Sequence, residues 1–110
     1  MAFTVKLSAL ATEHIEDAYS WIQETNPGAL DEWFDGITNA LQSLKNLPYR
    51  CSKIPETGDL NQEIRQLIYQ KYRIIFTIQD EIVYVLAVRH TSRKPLKDED
   101  LEGFLENDDL

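Results

Sequence analysis

The residues of this 110-residue chain that are best suited to binding chemistry are basic, and most of them lie in its second half. Seven of its 11 Lys and Arg residues fall between Arg65 and Lys97. Guanidinium groups bind phosphates and carboxylates through paired hydrogen bonds, and a histidine titrates near neutral pH. The candidate target-binding residues on or just after the predicted strands are Arg65, Arg73, Arg89, His90 and Arg93.

Other kinds of site lack the residues that they need. One cysteine, Cys51, and two histidines are too few for a zinc site built mainly of Cys and His. No Gly-rich phosphate loop or dinucleotide-binding fingerprint is present. Glu13, His14, Glu16 and Asp17 spread over different faces of a helix, which is typical of solvated surface. We therefore predict neither a metal nor a cofactor.

The acidic charge is concentrated at the C-terminus. Of the formal net charge of −8, residues 98–110 contribute seven acids and no Lys or Arg, whereas residues 1–97 hold 12 acids and 11 bases. We predict a single domain over 1–97 and an acidic tail, a short helix or disordered, over 98–110. No apolar run approaches the roughly 20 residues of a membrane span, and no secretory signal is visible. A cytoplasmic protein without a membrane partner is expected.

The hydrophobic pattern predicts one strand, two helices and three further strands. Apolar residues alternate from Phe3 to Leu7, and helical spacing follows from there to Glu24. Pro27 opens a second helix, which Pro48 ends. Its apolar stripe is the clearest signal in the chain and consists of Leu30, Trp33, Phe34, Ile37, Leu41, Leu44 and Leu47.

Three strands follow at approximately Glu63–Tyr69, Tyr72–Ile78 and Ile82–Arg89. Their short connections require antiparallel hairpins. The order β-α-α-β-β-β predicts an α+β fold, in which a helical hairpin packs on one face of an antiparallel sheet.

A three-residue second hairpin loop would fix which side chains share a face. The alternate residues from Tyr72 to Ile78 would then face the helices together with Ile82, Tyr84, Leu86 and Val88. The opposite face would carry Arg73, Ile75 and Thr77 beside Val83, Val85, Ala87 and Arg89, joined by Arg65 and Leu67. Either the acidic tail or the loop covers that face, or it binds a partner. A one-residue slip would rearrange both faces.

Three segments together resemble the RelE/ParE superfamily of bacterial type II toxin–antitoxin toxins. They are Glu63–Leu67 with its arginine, Tyr72–Phe76 (Tyr-Arg-Ile-Ile-Phe), and Val88–Arg93, which contains His-Thr-Ser-Arg. The order of elements also agrees with that family. The resemblance covers residues 3 to 96 and implies growth inhibition and plasmid stabilisation.

The family contains two activities, and the departures of this chain favour one of them. RelE-like toxins cleave mRNA on the ribosome and use lysines before the second-strand arginine and a tyrosine after the fourth strand. Residues 60–63 contain no lysine, and Tyr84 is the last tyrosine. The resemblance is therefore closer to ParE, which inhibits DNA gyrase by protein contact, without chemistry and without binding DNA alone. The alternatives are an mRNA endoribonuclease with Arg65, Arg73 and Arg93 as phosphate clamps, and a non-toxic interaction module.

The resemblance also implies a cognate antitoxin as partner. Its C-terminal segment would lie as an amphipathic helix in a groove by Leu30, Trp33 and Ile37, or add a strand to an open sheet edge.

Overall fold

The computed structural model describes residues 2–55, 63–93 and 97. The helices and strands are, in chain order, β1 (Thr4–Leu7), α1 (Ala9–Thr25), α2 (Leu30–Ser43), β2 (Ile64–Tyr69), β3 (Tyr72–Gln79) and β4 (Ile82–His90). Single 3-10 turns at Pro27–Ala29 and Pro48–Arg50 flank α2. The predicted α+β order is confirmed. The tail, residues 98–110, lies outside the described residues, so the domain boundary at 97 stays a prediction.

Local sequence signals set the helix ends. The Ser8 hydroxyl accepts a hydrogen bond from the Ala11 amide at 2.9 Å and caps α1. Helix α2 ends at Ser43, earlier than the apolar stripe predicts. Leu47 adopts a left-handed conformation with φ of 50°, which an α-helix cannot contain, and Pro48 follows it. Leu44 lies past the helix end and is still buried.

The sheet is mixed, with strand order β1-β4-β3-β2. Strands β2, β3 and β4 form the expected antiparallel meander. Strand β1 pairs with β4 in parallel, so the expectation of a fully antiparallel sheet was wrong for this strand. The long connection through two helices is the kind of crossover that a parallel pair requires.

The second hairpin turn has two residues, because Gln79 pairs with Ile82 and Asp80 takes a positive φ of 56°. Past the turn, Phe76 pairs with Val85 but Ile75 pairs with Ala87, so β4 has an extra residue there, Leu86. The assignment of side chains to the two sheet faces, which assumed a three-residue loop, is therefore confirmed only in part.

The shorter turn and the extra residue change which β4 side chains face the helices. Val83 and Val85 pack on the helix side, whereas Leu86 and Tyr84 belong to the cluster on the other side. All four had been expected on the opposite faces. On β2, Leu67 pairs with Ile74 and contacts the helix-side core, which is also contrary to expectation.

Two apolar layers hold the sheet. The helix-side core comprises α1 and α2 side chains packed on Ile74, Phe76, Val83, Val85 and Val88. The outer layer comprises Ile54, Ile64, Ile75, Leu86 and Ala87, all buried. The Ile54 amide bonds the Ile64 carbonyl oxygen at 2.9 Å, and the Gln66 amide bonds that of Ser52 at 3.1 Å. The loop between α2 and β2 was one of the two segments expected to cover this face of the sheet, and it contributes Ile54 to the outer layer.

The packing of α2 against β2 depends on a glycine. A Cβ at Gly36 would fall on the Tyr69 hydroxyl oxygen and 2.5 Å from its Cζ. That hydroxyl donates to the Trp33 carbonyl oxygen at 3.3 Å. We expect Gly36→Ala to lower the free energy of unfolding by about 1–3 kcal/mol, because overpacking outweighs the roughly 1 kcal/mol gain in helix propensity. Urea denaturation measures the change.

Gly28→Ala is the matched control, since a Cβ there meets nothing within 4 Å. It should leave stability unchanged or slightly raised. Equal stability of the two variants would show that the Gly36–Tyr69 contact does not constrain α2.

Candidate functional site

The five predicted site residues do not form one cluster. Arg73 and Arg89 are direct partners on β3 and β4, so they share the sheet face directed away from the helices. The Arg73 Nε donates to the Gln66 Oε1 at 2.7 Å, which holds the guanidinium against β2. This pair matches the expected placement.

Arg65 lies on the other face. It pairs with Phe76, which is part of the helix-side core. Its Nη1 donates to the carbonyl oxygens of Cys51 at 2.6 Å and Tyr49 at 3.4 Å, and its guanidinium carbon lies 5.2 Å from the centre of the Tyr49 ring. Only 14% of the Arg65 side chain is exposed. The expectation that it joins Arg73 was wrong; Arg65 instead anchors the segment after α2.

His90 and Arg93 lie at and beyond the end of β4. The His90 Nδ1 accepts from the Ser92 amide at 3.0 Å and lies 2.7 Å from the Ser92 Oγ. The Tyr72 ring meets the His90 ring edge to face at 5.1 Å. These contacts fix the imidazole, and Arg93 is exposed three positions past the end of the strand pairing.

The structure places His14 beside these residues, although the sequence indicated solvated surface for it. The His14 Nδ1 accepts a hydrogen bond from the Val88 amide at 3.1 Å. Strand β1 ends at Leu7, opposite Val85, and the Ser8 hydroxyl donates to the Leu86 carbonyl oxygen at 2.9 Å. Ser8 and His14 therefore continue the hydrogen bonding of the β4 edge where β1 stops. No local signal identifies such a long-range role.

Burial lowers the pKa of His14 from its ordinary value of 6.5. The carboxylates of Glu13 and Asp17 act in the opposite direction and raise it, while the guanidinium groups of Arg93 and Arg89 lower it further. Because a protonated Nδ1 cannot accept the Val88 hydrogen bond, the folded state favours neutral His14.

The residues expected to line an antitoxin groove belong to the core. Leu30, Trp33 and Ile37 are 8%, 4% and 1% exposed, because the stripe of α2 that they form faces the sheet. Little of these three side chains is available to a partner, and their role in antitoxin binding stays a prediction. A groove of about 320 Å³ lies instead where α1, α2 and β1 meet, and it is lined by Val5, Leu7, Ile15, Phe34, Ile37, Thr38, Leu41, Gln42 and Lys45. Leu7 and Phe34 are 44% and 40% exposed there.

The fold matches a known toxin–antitoxin structure. The chromosomal ParDE TA system from P. aeruginosa superposes with a TM-score of 0.68, covering 83% of this chain and 98% of that chain at 11% identity. At that identity the likeness is one of fold: an α+β protein with a helical pair on a small sheet. No curated protein matches the chain.

A family model described as the ParE toxin of the type II toxin-antitoxin system, parDE, matches residues 5–95. Because the match covers most of the chain, the protein belongs to the ParE toxin family, as the sequence resemblance predicted. Membership implies an antitoxin partner. In the part of the chain that the structure describes, no helix is long and apolar enough to cross a bilayer.

The His14 contact predicts a pH dependence of stability. The neutral imidazole stabilises the fold fully above the unfolded pKa of about 6.5, and this contribution is lost as pH falls from there through the depressed folded pKa. His14→Gln retains a possible acceptor and should flatten the dependence between pH 7.5 and 5. Urea denaturation at several pH values measures it.

Gln23→Ala, at an exposed position of the same helix, serves as the control, since it removes no titratable group, leaves the His14–Val88 bond in place and should retain the wild-type slope. A His14→Gln slope equal to that of the wild type would contradict the assignment.

Proposed function

We propose that this protein is a cytoplasmic toxin that arrests growth by binding DNA gyrase, without chemistry of its own, and that a cognate antitoxin neutralises it. Family membership supports the toxin class. The observation that carries the choice of activity is the separation of Arg65 from Arg73 by the sheet.

An mRNA nuclease needs cations that converge on one phosphate and a group that moves a proton. Arg65 is committed to two backbone carbonyls on the helix side, so the proposed clamp of Arg65, Arg73 and Arg93 does not assemble. The outer-face positions of β2 are Ile64, Gln66 and Ile68, none of which is a cation or a proton-transfer group.

The outer face near Arg73 and Arg89 suits a protein contact better. Ile68 pairs with Arg73 on that face and is 51% exposed. An exposed aliphatic group beside two guanidinium groups combines an apolar anchor with charges that guide a partner. We assign target binding to this surface, called here the Arg73 face: Ile68, Arg73 and Arg89.

Inducible expression in a bacterial host tests the activity. Growth arrest in which DNA synthesis fails before RNA and protein synthesis, with filamentous cells, is the expected result. In purified form the protein should inhibit supercoiling by gyrase. Immediate loss of translation with cut mRNA would overturn the proposal in favour of the nuclease, and absence of any arrest would favour the non-toxic module.

The groove between α1, α2 and β1 is the proposed antitoxin site. Exposed Leu7 and Phe34 rim an apolar floor that reaches Ile37, and the Phe34 ring contacts Tyr19 edge to face at 5.6 Å. An amphipathic helix fits such a groove. Strand β1 beside it is an edge strand of the sheet, so added strand pairing is available to the same partner.

Two substitutions should separate the antitoxin site from the target surface. Phe34→Glu places a charge in the groove and should weaken antitoxin binding at least about tenfold, equivalent to roughly 1.4 kcal/mol, while growth arrest remains. Ile68→Glu should abolish arrest and leave antitoxin affinity unchanged. Calorimetry with the cognate antitoxin and growth curves supply the two readouts.

The matched pair controls for misfolding, since both substituted side chains are exposed to a similar degree, 40% and 51%. Loss of both readouts in either variant would contradict the assignment of two separate surfaces.

A further inference from the structure

A second cleft lies between α1 and the end of β4, and neither proposed surface accounts for it. Its volume is about 670 Å³, within the range of roughly 300–1,000 Å³ typical of small-molecule sites. It shares no lining residue with the α1–α2–β1 groove. The floor is apolar and consists of Leu10, Ala18 and Val88.

The two walls of this cleft carry opposite charges. Helix α1 contributes the carboxylates of Glu13 and Asp17, and the end of β4 contributes Arg89, His90 and Arg93. The charges of Glu13, Asp17, Arg89 and Arg93 all act on the pKa of His14, so the two walls lie within electrostatic reach of one point. A ligand that fits must offer an anion to one wall and hydrogen-bond donors to the other.

Aromatic rings border the same space. Trp21 lines the cleft and is 58% exposed, which is unusual for the largest side chain on an amphipathic helix. Tyr72 is held edge to face between Trp33 at 5.5 Å and His90 at 5.1 Å. An exposed indole beside a fixed tyrosine provides a surface on which a flat ring can stack.

We propose that the α1–β4 cleft binds a nucleotide unit. The phosphate lies against Arg93 and His90, the base stacks on Trp21, and ribose hydroxyl or base amino groups donate to Glu13 and Asp17. A nucleotide combines an anion, several donors and an aromatic ring, which are the three features that the cleft complements. The carboxylate wall disfavours a bare polyanion, since it repels phosphates placed there.

The two histidines of the cleft each hold one ring nitrogen in a hydrogen bond with the backbone. In each, Nδ1 accepts a backbone amide hydrogen bond, from Val88 to His14 and from Ser92 to His90. The proton of a neutral ring is then on Nε2, which can donate. The proposal does not depend on gyrase as the target, because no residue of the Arg73 face except Arg89 lines the cleft.

The test is titration of the intact protein with GMP and AMP, followed by tryptophan fluorescence and calorimetry. Guanosine and inorganic phosphate are the part-ligands. We expect saturable binding of a mononucleotide, with at least about tenfold weaker binding of either part-ligand. Trp21→Phe should remove the fluorescence change, because Trp33 is buried at 4% exposure.

Arg93→Gln should weaken mononucleotide binding about tenfold and leave guanosine binding unchanged, since only the phosphate contact is lost. Lys6→Gln removes a positive charge from an exposed β1 residue outside the cleft and should change neither. Tighter binding of a 5′-phosphorylated hexanucleotide, still dependent on Arg93 and Trp21, would support the same site with a strand end as its source.

Circular dichroism confirms that each variant is folded. Absence of mononucleotide binding at millimolar concentration would overturn the proposal. An equal effect of Arg93→Gln and Lys6→Gln would do so too, because it would indicate attraction to overall charge.

Discussion

Strand β4 is the element to which β1, β3 and α1 attach. It pairs with β3 along its length and with β1 over its first half. Beyond Leu7, hydrogen bonds from Ser8 and His14 occupy the same edge of β4. Buried backbone groups must be paired, so helix α1 is held against the sheet by the same requirement that holds the strands together. The cleft between α1 and β4 is a consequence of that attachment.

The sheet separates the basic residues by function. Arg65 faces the helices and binds carbonyl oxygens of the segment after α2, where it stabilises the fold. Arg73 and Arg89 face outward beside exposed Ile68. A cation satisfied by backbone carbonyls has fewer donors left for a phosphate, because its hydrogen bonds are already used. Because Arg65 lies on the other side of the sheet, a role in protein contact accounts for Arg73 and Arg89 better than a role in clamping a phosphate does.

The three proposed sites occupy different parts of the described fold. The proposed antitoxin groove is lined by apolar side chains of α1, α2 and β1, some of which remain exposed after these elements pack together. The Arg73 face uses the side of the sheet that the helices do not cover. The α1–β4 cleft combines charges from two elements distant in sequence. The antitoxin groove and the Arg73 face share no residue, so a toxin of this design can engage its antitoxin and its target through separate chemistry.

The class of fold, the order of the elements and the family can all be inferred from the amino-acid sequence alone. Periodicity of 3.6 and 2 residues depends on local geometry, and a capping serine such as Ser8 acts within one turn. These features are therefore readable along the chain. The departures from the nuclease pattern, a missing lysine and tyrosine, are also properties of the sequence alone.

Which side chains share a surface, in contrast, depends on the tertiary structure. One residue fewer in the turn at Asp80 and one more at Leu86 moved four β4 side chains to the other face, because side chains alternate along a strand. The register of β2 against β3 likewise placed Arg65 on the helix side of the sheet. The packing of α1 against β4 gave His14 a hydrogen-bond partner 74 residues away. Leu30, Trp33 and Ile37 formed a stripe that was correct as a helix face, but whether it meets the sheet or a partner depends on packing. That choice is fixed by contacts between distant segments, which no local pattern encodes.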